Sequence, residues 1–303
     1  MSELSHTPTL SVVVASLTGR PYIDACLESL AHQRGNVMAE VVVADCVGAP
    51  VTNFVKRHYP DTQLIEFSER KTVAELRAAG LSAARGDIVA ITEDHCIAAE
   101  DWFEWLLRAH TAHSGPAIGG AVDNARRDRL IDWAVYLCEY GNFASPVTHG
   151  AVRDLAGANV SYKRVVLDEM REAIKDGYRE GVFHRQMEAA GYALWSDPSL
   201  CVLHNKHFAL TSFIAERFHY GRWYAGMRGA SSTLPKRLCY VALSPLLPPL
   251  LLYRLHARVR RRPQHRRTFL KCLPLIALFT LVWAAGEFVG GLSGPGRSEL
   301  HLS

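Results

Sequence analysis

The stretch ARGDIVAITEDHC, residues 84 to 96, limits what this chain can fold into more than any other. Its centre, DIVAIT, is short, apolar and rich in β-branched residues, the pattern of a strand buried on both faces. A strand of that kind needs helices over both sides of its sheet. It ends in Glu93, Asp94 and His95, three ionisable residues at the carboxyl end of a buried element. In open α/β sheets ligands bind at that edge. Side chains alternate along an extended chain, so Glu93 and His95 are expected on one side and Asp94 on the other. A carboxylate and an imidazole converging on one point suit a divalent cation that holds a diphosphate. The same triplet also fits a helix start, with Glu93 at the N-terminus and His95 on the surface.

The flanking sequence repeats the strand–helix alternation. LSVVVA (10–15) and EVVVADC, ending at Asp45, read as buried strands, and residues 63–67 read as a short one. Between them lie helical patterns: Ile23, Cys26, Leu27 and Leu30; residues 51–58; and residues 71–84, with Val73, Leu76, Ala79 and Ala83 on one stripe. After His95 come a helix with Trp102, Trp105, Leu106 and Ala109 on one face, a strand in PAIGGAVDN, and a helix over 128–141. A loop over 142–156 follows, then a strand in GANVSY, helices over 164–175 and 180–190, and a closing strand, LWSDPSLCVLH. The alternation predicts an α/β fold, a mostly parallel sheet flanked by helices, with residues 1–230 as one globular unit.

The tail is different. Of the basic residues behind the net charge of +4, Arg254, Arg258, Arg260, Arg261, Arg262, Arg266, Arg267 and Lys271 fall within 18 residues that contain no acid. Apolar segments flank this cluster on both sides, which points to anionic lipid and away from nucleic acid. Cys239 to Tyr253 carries three prolines and, at 15 residues, reaches about 22 Å as a helix, short of the roughly 30 Å hydrocarbon core. Positive charge on both flanks disfavours a simple crossing, so a re-entrant or interfacial element is expected, then a basic loop over 254–271. Cys272 to Leu292, with 21 residues, is long enough to span, though Glu287 and three glycines weaken it. Seven cysteines without a Cys-x-x-Cys pair argue for free thiols and against a disulfide framework or structural zinc. MSELSHTPT lacks the apolar run of a signal peptide, so the main body is expected in the cytosol.

Taken in order, these pieces resemble the inverting glycosyltransferases of family two, which have a GT-A fold. LSVVVASLTGRPYIDACLESL resembles the family's opening strand, loop and helix, and EVVVADC its strand ending in a nucleotide-contacting aspartate. ERKTVAELRAAGLSAARGDIVAITEDH resembles the helix and strand that lead to a metal motif usually written D-x-D. GANVSYKR, REGVFHRQMEAAGY and LHNKH resemble its acceptor-side blocks, and the likeness covers about residues 10–230.

The resemblance implies a nucleotide-sugar donor, a lipid-linked or glycan acceptor, and a divalent metal, Mn2+ or Mg2+. Glu93 and His95 stand where the family usually has two aspartates, and the softer imidazole tilts preference from magnesium towards manganese. His204, at the end of the last strand, is a further candidate ligand. The donor-binding candidates are Ala15, Ser16 and Leu17 through their backbone, Asp45 at the base or ribose, Asp94, and Arg77 at the diphosphate. Arg217 and Arg222, in RFHYGRWYAGMR, either close over the diphosphate or hold an anionic lipid head group, and a helix snorkelling at a bilayer is the other reading. Glu180 is the candidate base for the acceptor hydroxyl, although Gly181 stands where the family often has an aspartate. The membrane-associated bacterial type implies the inner membrane, a cytoplasmic catalytic domain and cell-envelope polysaccharide. Two rivals stay open. A nucleotidyltransferase needs a glycine-rich basic loop after the first strand, where ASLTGRP has one glycine and one arginine. An inactive, membrane-anchored binding module needs only a metal motif that no longer works.

Overall fold

The computed structural model describes residues 8–33, 37–230 and 232–302. Residues 1–7, which carry most of the reading against a signal peptide, lie outside that set. The strands are β1 (Leu10–Ser16), β2 (Ala39–Asp45), β3 (Gln63–Glu66), β4 (Ile88–Glu93), β5 (Cys96–Ala98), β6 (Ala117–Asn124), β7 (Gly150–Val152), β8 (Val160–Lys163) and β9 (Leu194–His204). Among the described residues they form one sheet in the order β3-β2-β1-β4-β8-β6-β9-β5, with β7 beside β9. β1 to β4 are parallel, β6 and β9 run with them, and β5, β7 and β8 run against them. This is the mostly parallel, helix-flanked α/β sheet that the alternation predicts.

β1 is buried along its whole length, with Val12, Val13 and Val14 fully covered. Each such side chain contributes roughly 1.5–3 kcal/mol. The register pairs Ala15 with Ala44 and with Glu93, so the carboxyl tips of β1, β2 and β4 end level along one edge. Helix Val73–Ala83 covers these strands. It starts in a capping box, in which Thr72 Oγ1 accepts from Glu75 N–H at 3.2 Å and the Glu75 carboxylate accepts from Thr72 N–H at 2.8 Å. Its buried face is Ala74, Leu76, Arg77, Gly80 and Leu81, a correction to the Val73–Leu76–Ala79–Ala83 stripe. Gly80 sets that rotation: a Cβ there would lie 2.3 Å from Val13 Cγ1, so the helix seats against β1 through its bare backbone. Arg77 is thereby turned inward.

The chain divides into two compact units, one of residues up to Ala125 with Phe143–Asn205, the other of Arg126–Asn142 and Lys206–Ser303. The first holds the sheet. In the second, helices Leu210–Ala230 and Arg266–Ser293 approach through glycines: a Cβ at Gly221 would meet Trp283 O at 2.3 Å, at Gly286 Phe218 O at 2.2 Å, and at Gly290 Arg222 O at 2.1 Å. Glu287, the acid within this apolar segment, accepts from Trp283 Nε1 at 2.9 Å and is ion-paired with Arg228. Two helical runs, Leu234–Arg260 and Pro263–Ser293, each contain an 18-residue stretch of mean hydropathy 1.5 and 1.9 respectively, long and apolar enough to cross a membrane by length and composition. The first reaches about 40 Å rather than 22 Å because helix extends beyond the apolar core of the segment, broken only by a 3-10 turn at Ser244–Leu246. The expected basic loop is mostly helix as well, since helices Leu247–Arg260 and Arg266–Ser293 run through it.

Candidate donor and metal site

At the tip of β4 the chain turns at Asp94 and His95 and reverses into β5, a short strand that precedes the expected helix, Trp102–Ala112. The turn breaks the simple alternation. Glu93 Oε2 and His95 Nε2 do meet, at 3.2 Å. Asp94 folds back instead of pointing away: its Oδ2 accepts from the N–H groups of Leu17, Thr18 and Gly19 at 2.9, 2.6 and 2.9 Å, and its Oδ1 lies 3.0 Å from His95 Nδ1. Gly19 completes this loop with φ +78, a left-handed conformation that suits glycine. Asp94 is 1% exposed and serves the β1 loop and the imidazole. A carboxylate accepting from Nδ1–H leaves Nε2 as the nitrogen with a lone pair, as in carboxylate–histidine–metal arrangements.

Arg77, 3% exposed, joins this cluster from helix Val73–Ala83. Its Nη2 lies 2.6 Å from Glu93 Oε1 and its Nη1 2.7 Å from Glu180 Oε2. Glu180 opens helix Glu180–Ala189, where the helix dipole favours an acid, and its side chain is 39% exposed. Arg77 therefore bridges the two acids. Gly157 packs against the same group: a Cβ there would lie 3.0 Å from both Arg77 Nη1 and Glu180 Cδ.

Glu93, His95 and Cys96 are the residues whose ligand atoms gather here, within 4.8 Å of one another. His204, expected as the third ligand, pairs with Cys96 in the β5–β9 register and sets its ring edge-on to His95, centroids 4.8 Å apart. Burial pushes the Cys96 thiol well above its ordinary range, while Glu93 and His95 bring their ligand atoms within 3.2 Å of each other. The donor set fits a divalent ion of intermediate softness, with Glu93 Oε2 and His95 Nε2 facing each other while Arg77 holds Oε1.

The other candidates are placed as follows. Asp45 is fully buried, with Oδ1 accepting from Ser16 Oγ at 2.5 Å and Oδ2 from Gly48 N–H at 2.9 Å. Burial raises its carboxyl above the usual range, against those hydrogen bonds, which pull it down. Ala15 and Ser16 carbonyls accept from Asp94 and Cys46 N–H groups, so the backbone groups expected to face a base are bonded within the protein. Arg217 and Arg222 belong to the second unit: Arg217 sits 4.3 Å over the Trp283 ring, and Arg222 Nε donates to Gly294 O at 3.3 Å.

Sequence reading missed one network. The Asp154 carboxylate faces His184 Nδ1 at 2.8 Å, His184 Nε2 lies 2.7 Å from Tyr162 Oη, and Tyr162 Oη lies 2.5 Å from Tyr178 Oη. Burial raises both phenols, Tyr162 and Tyr178, and keeps them protonated. The network pins the helix of Glu180 one turn from that residue. The helical spacing of Glu180 and His184 is the signal that points to it.

A family model, Glycosyl transferase family 2, matches residues 11–171. The chain belongs to glycosyl transferase family 2, a family of sugar-transferring enzymes. A 92-residue stretch is 32% identical to polypeptide N-acetylgalactosaminyltransferase 12 of Mus musculus, covering 30% of this chain and 15% of that protein's length. Among solved structures, the mannosyltransferase PcManGT from Pyrobaculum calidifontis, in complex with GDP-Man and Mn2+, aligns with a TM-score of 0.58 at 17% identity over 93% of this chain and 88% of its own. S. aureus TarS 1-349 aligns with a TM-score of 0.52 at 14% identity over 93% and 88%. The fold is of the GT-A kind.

Proposed function

We propose that this chain is an active inverting glycosyltransferase that moves one sugar from a nucleotide-diphosphate sugar to a membrane-proximal acceptor, lipid-linked or glycan. The observation that carries this reading is the arrangement at the β4 tip, where Glu93, His95, Arg77 and Glu180 make one connected group at the carboxyl edge of a parallel sheet. The donors in two similar folds, GDP-Man with Mn2+ in PcManGT and UDP-GlcNAc in TarS 1-349, support a nucleotide sugar. Here the nucleotide lies along the tips of β1, β2 and β4, over the loop that Asp94 holds.

Glu93 and His95 hold a divalent cation, Mn2+ by preference, which when bound neutralises charge on the leaving diphosphate. Arg77 fixes both carboxylates and sets their spacing. Glu180, partly exposed at a helix start, takes the proton of the acceptor hydroxyl. The second unit presents its two apolar helical runs and the arginine cluster to anionic lipid at the inner membrane, with the catalytic unit in the cytoplasm. Release of nucleoside diphosphate from a panel of nucleotide sugars, with and without Mn2+, tests the reading. Turnover that needs metal supports it; donor binding unaffected by metal, with no turnover, supports an inactive binding module instead. Cleavage of a C-terminal tag only from the cytosolic side would rule out a single crossing by the last helix.

A further inference from the structure

Away from Glu93, at the other end of the sheet, a second set of ligand-type atoms converges within the first unit. His113 ends helix Trp102–Ala112, His149 precedes β7, and Asp197 lies inside β9. β6 and β9 run parallel, with Ile118 beside Trp195 and Asn124 beside His204. Six residues of extended chain separate those pairs, about 20 Å. His204 touches His95, so this cluster is remote from the donor site.

A bulge places the aspartate. Between Ser196, paired with Gly119, and Cys201, paired with Ala121, β9 carries Asp197, Pro198, Ser199 and Leu200 against Gly120 alone. Bulges re-aim side chains, and Gly120 permits this one, since a Cβ there would lie 2.0 Å from Leu200 O. Asp197 Oδ1 accepts from Ser199 N–H at 2.9 Å and Ser199 Oγ at 2.6 Å, and Oδ2 is turned towards His113 Nε2, 4.0 Å away. His149 Nε2 is 3.5 Å from the same nitrogen.

Trp195 orients the rings. His113 stacks on it with centroids 4.4 Å apart, and His149 stands edge-on at 5.6 Å. Lys163 Nζ donates to the carbonyls of His113 and Ser114, which fixes the backbone there. The imidazoles are thus aimed at each other by packing. Separations of 3.5 and 4.0 Å are too long for good hydrogen bonds. They lie near the roughly 3.3 Å ligand–ligand edge of a zinc tetrahedron with bonds of about 2.0–2.1 Å.

We propose that His113, His149 and Asp197 form a second metal site, of the Zn2+ class, independent of the donor site and of the reading given for it. Two imidazole nitrogens and one carboxylate oxygen suit zinc and not magnesium, and three protein ligands leave a fourth position for water. The Ser199 bonds orient the carboxylate as outer-shell donors do. All three ligand atoms already lie within 4.8 Å of one another, and His149, exposed on its loop, moves most easily to close the set. The ion ties a helix end, a loop and a strand bulge, and it stabilises the fold by mass action.

The test uses the full chain carrying Glu93→Gln and His95→Ala, which removes the donor-site ligands, stripped with chelator and titrated with Zn2+ alone. One Zn2+ per chain is expected to bind and raise the melting temperature, and Co2+ is expected to give the strong visible absorption of a four-coordinate ion. Adding His149→Ala, or separately Asp197→Asn, should weaken Zn2+ affinity beyond the about 10–100-fold that loss of an outer-shell group causes. Circular dichroism checks that each variant is folded. Unchanged affinity and stoichiometry in both variants would overturn the proposal, as would the absence of Zn2+ binding in the parent.

Discussion

Glu93 and Glu180 share a single guanidinium: Arg77 reaches the first at 2.6 Å and the second at 2.7 Å. The two ends of this bridge differ in exposure, 14% for the Glu93 side chain and 39% for Glu180. Breaking a buried pair by removing one partner costs about 3–5 kcal/mol, whereas an exposed pair contributes roughly 0–1 kcal/mol. Arg77→Met should therefore lower the urea unfolding free energy by about 3 kcal/mol, and Glu180→Gln by less than about 1 kcal/mol. Glu180→Gln should instead reduce transfer to a hydroxyl acceptor while donor affinity holds. Equal loss of both would assign Glu180 a structural role.

Asp94 gathers three backbone N–H groups on one oxygen. Asp94→Ala strands them, at about 1–3 kcal/mol for each donor left buried without a partner. Asp94→Asn keeps an accepting oxygen and loses only the charge, so its destabilisation should be clearly smaller. Denaturant midpoints that coincide for the two variants would show that the loop does not depend on this acceptor.

Glu93→Ala and His95→Ala should each abolish metal-dependent donor hydrolysis while the chain stays folded. A Mn2+ titration of nucleoside diphosphate release reads this directly. Rates equal to those of the parent would exclude the β4 tip as the metal site.

His110 provides a pH test away from the site. Burial, helped by the neighbouring Lys163 ammonium, lowers its pKa to about 3. Its Nε2 lies 2.8 Å from Ser161 Oγ, which itself donates to Ile118 O, so the imidazole donates from Nε2 and stays neutral. The unfolded chain takes up a proton near the ordinary histidine pKa of about 6.5, and the folded chain does so only near 3. Stability from this group is therefore complete above about pH 6.5 and falls as pH drops towards 3, by about 1.4 kcal/mol per pH unit. His110→Gln should flatten the slope of unfolding free energy between pH 6 and pH 4 by that amount. An unaltered slope would place the acid sensitivity elsewhere.

The buried strands were legible because burial on both faces leaves a continuous β-branched run: Val12–Val14, Val42–Val43 and Ile88–Ile91 announce themselves locally. The meeting of Glu93 with His95 was legible too. What local pattern hides is long-range pairing. Nothing near Arg77 names Glu180, so a buried ion bridge reads as an arginine off the apolar stripe that reaches for a diphosphate. Asp94 was misplaced because the chain turns immediately after β4, and the alternation rule needs extended backbone. Glu287 and its neighbouring glycines read as flaws in a hydrophobic segment, because Arg228 and the opposing helix backbone lie far away in sequence.

Where Gly221, Gly286 and Gly290 let two main chains touch, attraction comes from dispersion between tightly fitted atoms and does not require water to be driven off. Such a joint is indifferent to its surroundings. The crossing of the two helices is therefore set by how closely their bare backbones fit, and a side chain placed at any of these three glycines would force them apart.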